Sequence, residues 1–201
     1  GSTSGMRVSN FYGRENSFSV IVNTTFYGSD AGNAPIAIYG KGVTDTEAYI
    51  ISCTVAGNKS SSPDVCSGIA QVESKVKVYN SIVSGNKGGR DGIWAVKTSM
   101  NELIDQRTET VSYSINAEKV FGDDDVMSGL LFDPEKMLGK ASNGVVPLIG
   151  SGNPALTNGM TADQLKSIKS GREPEIDETE VVKDQKGNPR TGKVMGAYVG
   201  E

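Results

Sequence analysis

Histidine is absent from the 201-residue sequence, tryptophan occurs once, and aromatic residues make up only 6% of the chain. Without histidine the chain has no Ser-His-Asp or Cys-His machinery, no histidine general base and no Cys₂His₂ zinc site. No apolar run approaches the roughly 18 residues of a membrane-spanning helix. Residues 1–5 also lack the charged and apolar regions of a signal peptide, so we expect no targeting segment in this chain. These absences exclude most familiar hydrolase mechanisms. They also exclude insertion of this chain into a membrane.

The chain also lacks an excess of positive charge. Its 20 Lys and Arg residues against 24 Asp and Glu give a formal net charge of −4. This balance argues against nucleic acid or an anionic membrane surface as the partner. Gly supplies 25 residues and Pro 7, and glycine is above its usual ~7% of a protein. The composition therefore favours short strands and frequent turns over long helices, in a chain of a length typical of one domain.

An internal repeat is the strongest feature of the sequence. Three ten-residue segments match one another, at residues 20–29, 49–58 and 77–86: VIVNTTFYGS, YIISCTVAGN and KVYNSIVSGN. Their glycines, Gly28, Gly57 and Gly85, are separated by 29 and 28 residues. A repeat of this length with short β-rich segments buries its apolar side only when copies stack on one another. The pattern predicts an all-β fold, a right-handed parallel β-helix of about four coils with an irregular C-terminal cap.

Equivalent positions of the three repeats carry one chemical type each. The alternation of a β-strand places one column inward and its neighbour outward: Ile21, Ile50 and Val78 inside, and Val22, Ile51 and Tyr79 outside. The next column, Asn23, Ser52 and Asn80, is predicted to form a side-chain ladder at a corner, because Asn tolerates a bent backbone. Cys53 follows this corner and is predicted to point inward. Cys66 lies in a loop at another corner, so we favour two unbridged cysteines over a disulfide.

Two sets of motifs carry a family resemblance. The runs that begin at Asn23, Ser52 and Asn80 resemble the coils of bacterial right-handed parallel β-helix repeat proteins: NTTF, SCTVAGN and NSIVSGN. Four later segments resemble, in order, the C-terminal part of the choice-of-anchor Q family: GLLFDP (129–134), PLIGSGNPAL (147–156), DQKGNPR (184–190) and GAY (196–198). The resemblance implies a β-helix in an extracellular or cell-surface location. It implies little about chemistry, because most members of the family have no assigned activity.

The chain is predicted to form one structural domain in two parts. Residues 1–116 form the coils, and residues 117–201 form a capping segment packed on them, with apolar residues to cover the core: Phe132, Leu148, Ile149 and Leu156. Thr161 and Gln164 indicate a capped short helix that ends near Gly171. Residues 172–180 are rich in Asp and Glu and are predicted to be a solvated acidic loop.

The N-terminal end resembles the middle of a coil. We therefore expect either that upstream coils are missing or that another molecule covers this face. An apolar ring that includes Met6, Val8 and Ile21 would be exposed there, together with unpaired strand edges. Such edges recruit further strands, so self-association through the N-terminal coil is expected at high concentration.

Tyr39, Trp94 and Arg7 are the candidate ligand-binding residues. Tyr39 and Trp94 are predicted to share one outward column two coils apart, which separates them by about 9–10 Å. Flat aromatic rings on a rigid sheet suit sugar faces, and Arg7 would add a hydrogen-bond donor. The alternative, which we favour for Trp94, is that the C-terminal segment covers the ring.

The sequence offers little for catalysis or metal binding. The outward columns hold no pair of carboxylates for glycoside hydrolysis. Basic and acidic residues suited to a lyase are predicted to cluster on a turn: Lys77, Lys87, Arg90 and Asp91. The run Asp123 to Asp125 would hold calcium only weakly, and a solvated turn is favoured. No catalytic residue, metal ligand or cofactor is therefore assigned.

The sequence favours a secreted or cell-surface module that binds a glycan or a partner surface without catalysis. One alternative is a polysaccharide lyase or glycoside hydrolase, or a fragment of one. The second is a structural spacer of a surface-anchored protein. An outward cluster of three or more charged side chains on one sheet would favour the enzyme.

Overall fold

The computed structural model describes most of the repeats and, of the C-terminal segment, mainly the part from residue 154 onward. The described residues are 6–9, 18–31, 34–40, 46–60, 67–72, 74–84, 86, 93–96, 103–106, 111–112, 115–116, 119–120, 154–173 and 175–199. Their regular secondary structure is almost entirely β-strand, with one 3₁₀ turn and one short helix, which agrees with the all-β prediction.

Most strands belong to three sheets whose neighbours are equivalent segments of consecutive repeats. The first sheet has the order β1 (Met6–Ser9), β5 (Ile36–Tyr39), β9 (Ile69–Val72), β12 (Ile93–Val96) and β13 (Leu103–Gln106). The second has the order β14 (Val111–Ser112), β10 (Lys75–Tyr79), β6 (Glu47–Ile51) and β2 (Phe18–Val22). The third has the order β16 (Lys119–Val120), β15 (Ile115–Asn116), β11 (Ile82–Ser84), β7 (Thr54–Ala56) and β3 (Thr25–Tyr27). A short pair joins β4 (Asp30–Ala31) to β8 (Lys59–Ser60).

The pairing is parallel and follows the predicted period. Ile21 pairs with Ile50, which pairs with Val78, as the spacing of 29 and 28 residues requires. Only two pairs of strands in the sheets are antiparallel among the described residues, β12 with β13 and β15 with β16. The repeats of the sequence are therefore repeats of the structure.

The inward columns form one apolar cluster that draws side chains from all three sheets. Ile36, Ile38 and Ile69 come from the first sheet, Ile50 from the second and Val55 from the third, and each is fully buried. Burial of a side chain of this size contributes about 1.5–3 kcal/mol, so this cluster is the main source of stability in the repeats. The predicted inward positions of Ile21, Ile50 and Val78 are confirmed.

The described part of the C-terminal segment from residue 154 onward starts with a 3₁₀ turn at Pro154–Leu156 and continues with a short helix, α1 (Ala162–Lys166). Thr161 is the N-cap, and its side chain and that of Gln164 form a capping box, as the sequence predicts. The helix is shorter than predicted, because its C-cap is Ser167 and not a residue near Gly171.

The described part of this segment packs along the outward face of the second sheet. Leu165 of α1 and Ile168, Ile176 and Val181 beyond it form an apolar cluster with Ile51. Ile51 points away from the interior of the repeats, as predicted, yet it is fully buried because the segment lies on it. Phe132, Leu148 and Ile149, predicted to cover the end of the core, lie outside the described residues, so that part of the cap and the boundary at residue 116 stay predictions.

The predicted apolar ring at the N-terminal end is wrong for one of its three members. Ile21 is only 5% exposed, so it does not belong to a bare face. The side chains of Met6 and Val8 lie outside the described residues. Neither helical segment described in the C-terminal part is long and apolar enough to span a membrane.

Candidate functional site

The predicted shared column of Tyr39 and Trp94 is wrong. Register pairing places Trp94 opposite Ala70, which lies opposite Ala37, which lies opposite Arg7. Tyr39 lies two residues further along its strand, opposite Val72. An error of two residues in the alignment of two strands leaves the face of each position unchanged, because the side-chain period of a strand is two. The alternation in the sequence therefore could not reveal that the predicted column was wrong. Trp94 and Arg7 share a column, and Tyr39 shares only the face.

Tyr39 is half-buried against Ala34, Ala37 and Ala70. Its ring therefore packs partly on its own sheet. The side chains of Trp94 and Arg7 lie outside the described residues, so a binding surface made by these three residues stays a prediction.

The outward face of the second sheet carries a charged cluster that the sequence analysis missed. Lys77 lies in β10 and not on a turn, which corrects the prediction. Its ammonium group lies 2.7 Å from Glu47 and 2.8 Å from the Tyr49 hydroxyl, and it sits above the Tyr49 ring. Arg172 of the C-terminal segment reaches the second carboxylate oxygen of Glu47 at 3.3 Å. The repeat could have predicted this cluster, because a spacing of 28 residues places Lys77 opposite Tyr49 and diagonal to Glu47.

The charges of this cluster restrict what it can do chemically. Hydrogen bonds to Glu47 and Tyr49 raise the pKa of Lys77, so its amine stays protonated at neutral pH and cannot accept a proton. Glu47 is almost completely buried and has two cationic partners. The cluster therefore ties the C-terminal segment to the sheet and offers no general base at Lys77.

The corner column is confirmed in its backbone, a side-chain hydrogen bond along it joins Asn80 to Ser52, and the C-terminal segment is anchored there. Asn23, Ser52 and Asn80 all have left-handed backbones, with φ of 51°, 53° and 51°. The Asn80 amide donates to the Ser52 hydroxyl at 2.9 Å and to the carbonyl of Val194 at 3.1 Å. Its side-chain oxygen accepts from the backbone N–H of Met160. One ladder residue therefore binds both the neighbouring repeat and two parts of the segment.

Arg190 makes the second anchor to the ladder. Its guanidinium donates to the side-chain oxygen of Asn23 at 3.0 Å. It also donates to three backbone carbonyls of the segment, those of Lys183, Val194 and Gly196. Burial lowers the pKa of Arg190 to about 10, so the group is still a cation at neutral pH. We call Asn23 and Arg190, with these carbonyls, the arginine latch.

A groove lies between the edge of the second sheet and the acidic loop. It has a volume of about 280 Å³ and is lined by Phe18, Val20, Val22, Glu175, Ile176, Asp177 and Glu180. The first three residues are the outward side chains of β2, the last strand of the second sheet among the described residues. The three carboxylates belong to the predicted solvated loop, and they are exposed, as expected. The groove thus has one apolar wall and one wall rich in carboxylates.

Cys53 is a free, completely buried thiol. Its inward position is confirmed and it forms no disulfide, while Cys66 lies outside the described residues. Burial raises the pKa of Cys53 to about 12. Since the thiolate is the reactive form, this residue is a packing residue and not a nucleophile.

This protection predicts a large difference in thiol reactivity. In a Cys66→Ser variant, a chromogenic disulfide reagent should modify Cys53 of the native protein on the order of 1,000-fold more slowly than in the urea-unfolded chain, since burial removes both thiolate and access. The rate of absorbance change gives the comparison, and a Cys53→Ser variant reports Cys66 alone. Native and unfolded rates within tenfold of each other would contradict the buried position.

Among the described residues no group of three or more Cys, Asp or Glu side chains could hold a metal ion. The run Asp123 to Asp125 lies outside them, so weak calcium binding there stays untested. No protein-family model, no curated protein and no solved structure matches the chain.

Proposed function

We propose that the parallel sheets close into a right-handed parallel β-helix. Each repeat adds a strand to the first, second and third sheet in the same order, and the interior cluster contains side chains from all three. A chain that visits three sheets in turn and then resumes one strand further along winds as a helix. Crossover connections between parallel strands are right-handed in about 98% of cases. A far-ultraviolet circular dichroism spectrum dominated by α-helix would contradict this architecture.

We propose that this β-helix is a non-catalytic module of a secreted or cell-surface protein and that it binds a partner polypeptide. The observation that carries the proposal is the groove beside β2, a concave surface with an apolar wall and exposed carboxylates. Such a combination gives an apolar contact area together with charged groups that orient a ligand. The extracellular or surface location is supported by the resemblance of the coil and C-terminal motifs to surface-anchored proteins.

A polypeptide suits the groove better than a sugar does. Sugar rings stack on the open face of an aromatic ring, but the Arg172 guanidinium lies over the Phe18 ring at 6.0 Å. The Tyr49 ring makes a T-shaped contact with the Phe18 ring and stacks with Tyr79. The remaining apolar wall is aliphatic, from Val20 and Val22. Glycan binding stays the alternative for the face that carries Tyr39, Trp94 and Arg7.

An enzyme is the second candidate, because the second sheet carries three outward charged residues, Glu47, Lys75 and Lys77. A lyase needs a base that abstracts a proton from the sugar ring. The raised pKa of Lys77 and the two cationic partners of Glu47 both oppose that role. We therefore place binding ahead of catalysis.

One experiment separates the candidates. The labelled full-length chain is applied to an array of short peptides and to a glycan array, and it is also incubated with acidic and neutral polysaccharides. We expect hits on the peptide array and neither glycan hits nor sugar products. Glycan hits without peptide hits would contradict the polypeptide proposal, and an absence of hits on both arrays would favour the spacer.

Formation of reducing ends or unsaturated sugars would contradict the non-catalytic proposal. In that event a Lys77→Met variant, with Lys75→Met as the neighbouring control, tests whether the charged cluster is responsible. Loss of product in the first variant alone would assign the reaction to the cluster.

A further inference from the structure

The acidic wall of the groove has a regular spacing. Glu175 and Asp177 are exposed, whereas Ile176 between them is buried, with 4% exposure. Alternating exposure places Glu175 and Asp177 on the solvent side and Ile176 on the side of the sheet. The wall therefore presents two carboxylates from alternate residues of the chain.

The apolar wall opposite is also formed by alternate residues of the chain. Phe18, Val20 and Val22 are alternate residues of β2 and extend over roughly 13 Å. On its other side β2 pairs with β6. The groove is therefore elongated along a strand, and its shape suits an extended chain better than a compact ligand.

Two of the three carboxylates of this wall, Glu175 and Asp177, accept hydrogen bonds from neutral donors. Although partial desolvation acts to raise the pKa of Glu175, hydrogen bonds from Ser170 outweigh it and lower the pKa. Hydrogen bonds from the side chain and backbone of Thr179 lower the pKa of Asp177. Both groups are ionised at neutral pH. Glu178 and Glu180, by contrast, form ion pairs with Lys169 and Lys183.

The second sheet already holds two basic side chains of the protein by pairing them with a carboxylate. Lys77 places its ammonium group on Glu47 and over the ring of Tyr49, at 4.8 Å from the ring centroid. Arg172 pairs with Glu47 and lies over Phe18. In both cases a basic side chain lies along apolar surface and its charged end meets a carboxylate. The groove offers that combination at its outer edge.

We propose that the groove binds an extended segment of a partner protein in which Lys or Arg alternates with apolar residues. This inference rests on the proposed function, that the module binds a polypeptide. Alternate side chains of an extended segment point to opposite sides, so two basic residues would meet Glu175 and Asp177 while the apolar residues would meet Val20 and Val22. Charge complementarity and the matched two-residue repeat of the two walls specify this partner and not an arbitrary basic chain.

Calorimetric titration of the full-length chain with synthetic peptides tests the pattern. One peptide alternates Lys and Val, the second contains the same residues as a Lys block followed by a Val block, and the third alternates Glu and Val. We expect the alternating Lys peptide to bind roughly tenfold more tightly than the block peptide, and the Glu peptide not to bind. Affinity should fall as salt is raised from ~50 to ~500 mM, because the carboxylates are exposed to screening.

A matched pair of variants locates the site. The double variant Glu175→Gln, Asp177→Asn should bind the alternating Lys peptide roughly tenfold more weakly. The control Glu173→Gln, Glu178→Gln has the same charge change outside the groove and should bind it as the wild type does. Thermal melting of both variants checks that the fold is retained.

Equal affinity for the alternating and block peptides, or equal weakening by both double variants, would overturn the assignment, because either result indicates non-specific attraction. Concentration-dependent self-association without peptide binding would identify a second copy of the chain as the occupant and overturn it as well. Array peptides that bind without this pattern would leave the proposed function in place and overturn only this inference.

Discussion

Replacing Arg190 with Met should lower the free energy of unfolding by about 3–5 kcal/mol. The variant keeps most of the length of the side chain but removes the donor of one buried acceptor, the Gly196 carbonyl, and of two partly buried ones, the Asn23 side chain and the Lys183 carbonyl. Each buried polar group without a partner costs roughly 1–3 kcal/mol. Urea unfolding followed by circular dichroism gives the free energy by linear extrapolation.

Two further variants interpret that result. Arg190→Lys keeps the charge, but one ammonium group cannot replace the fork of the guanidinium, so we expect a loss of roughly half that of Met. Lys166→Met, at an exposed position of α1, is the control and should change the stability by less than about 0.5 kcal/mol. A loss of under 1 kcal/mol for Arg190→Met would show that the latch does not hold the C-terminal segment.

Asn80 should be nearly as sensitive, for two separable reasons. Asn80→Ala removes the hydrogen bonds to Ser52, Val194 and Met160 and places a Cβ-bearing residue without a polar side chain at φ 51°. Lost hydrogen bonds in a buried setting predict a destabilisation of about 2–4 kcal/mol, and the left-handed backbone adds about 1 kcal/mol.

Asn80→Gly distinguishes these two contributions. It removes the same hydrogen bonds but adopts the left-handed backbone without strain, so we expect it to be more stable than Asn80→Ala by about 1 kcal/mol. Urea unfolding of the two variants measures the difference. If the Gly variant matches the wild type, the side-chain bonds of the ladder contribute nothing. If the Ala and Gly variants are equal, the backbone conformation contributes nothing.

The repeat period could be predicted for the second and third sheets but not for the whole of the first. The glycine lies five positions after the corner residue in every repeat, so aligned glycines also align the strands. Between the glycine and the first sheet the length varies, with eight residues from Gly28 to Ile36 and 12 from Gly57 to Ile69. Ile36 and Ile38 are both apolar and inward, so the sequence allows either to align with Ile69, and only the strand pairing shows that Ile36 does. Because of this ambiguity the sequence predicts the wrong column for Tyr39.

The candidate site was less predictable than the fold. The acidic loop, the capping box and the buried Cys53 were all readable from local sequence. The groove was not, because its two walls, β2 and residues 175–180, are about 155 residues apart in the chain and no local pattern brings them together. The ion pair of Glu47 with Arg172 has the same origin.

By itself the sequence determined the repeat, the alternation of inward and outward side chains, and the corner column of Asn23, Ser52 and Asn80. These depend on short-range geometry, which residue type and spacing encode directly. Only the tertiary structure decided that the C-terminal segment lies along the second sheet, held by the arginine latch. An outward apolar residue such as Ile51 is equally compatible with several covering segments, and the choice among them is made by the fit of distant side chains and the pairing of buried polar groups.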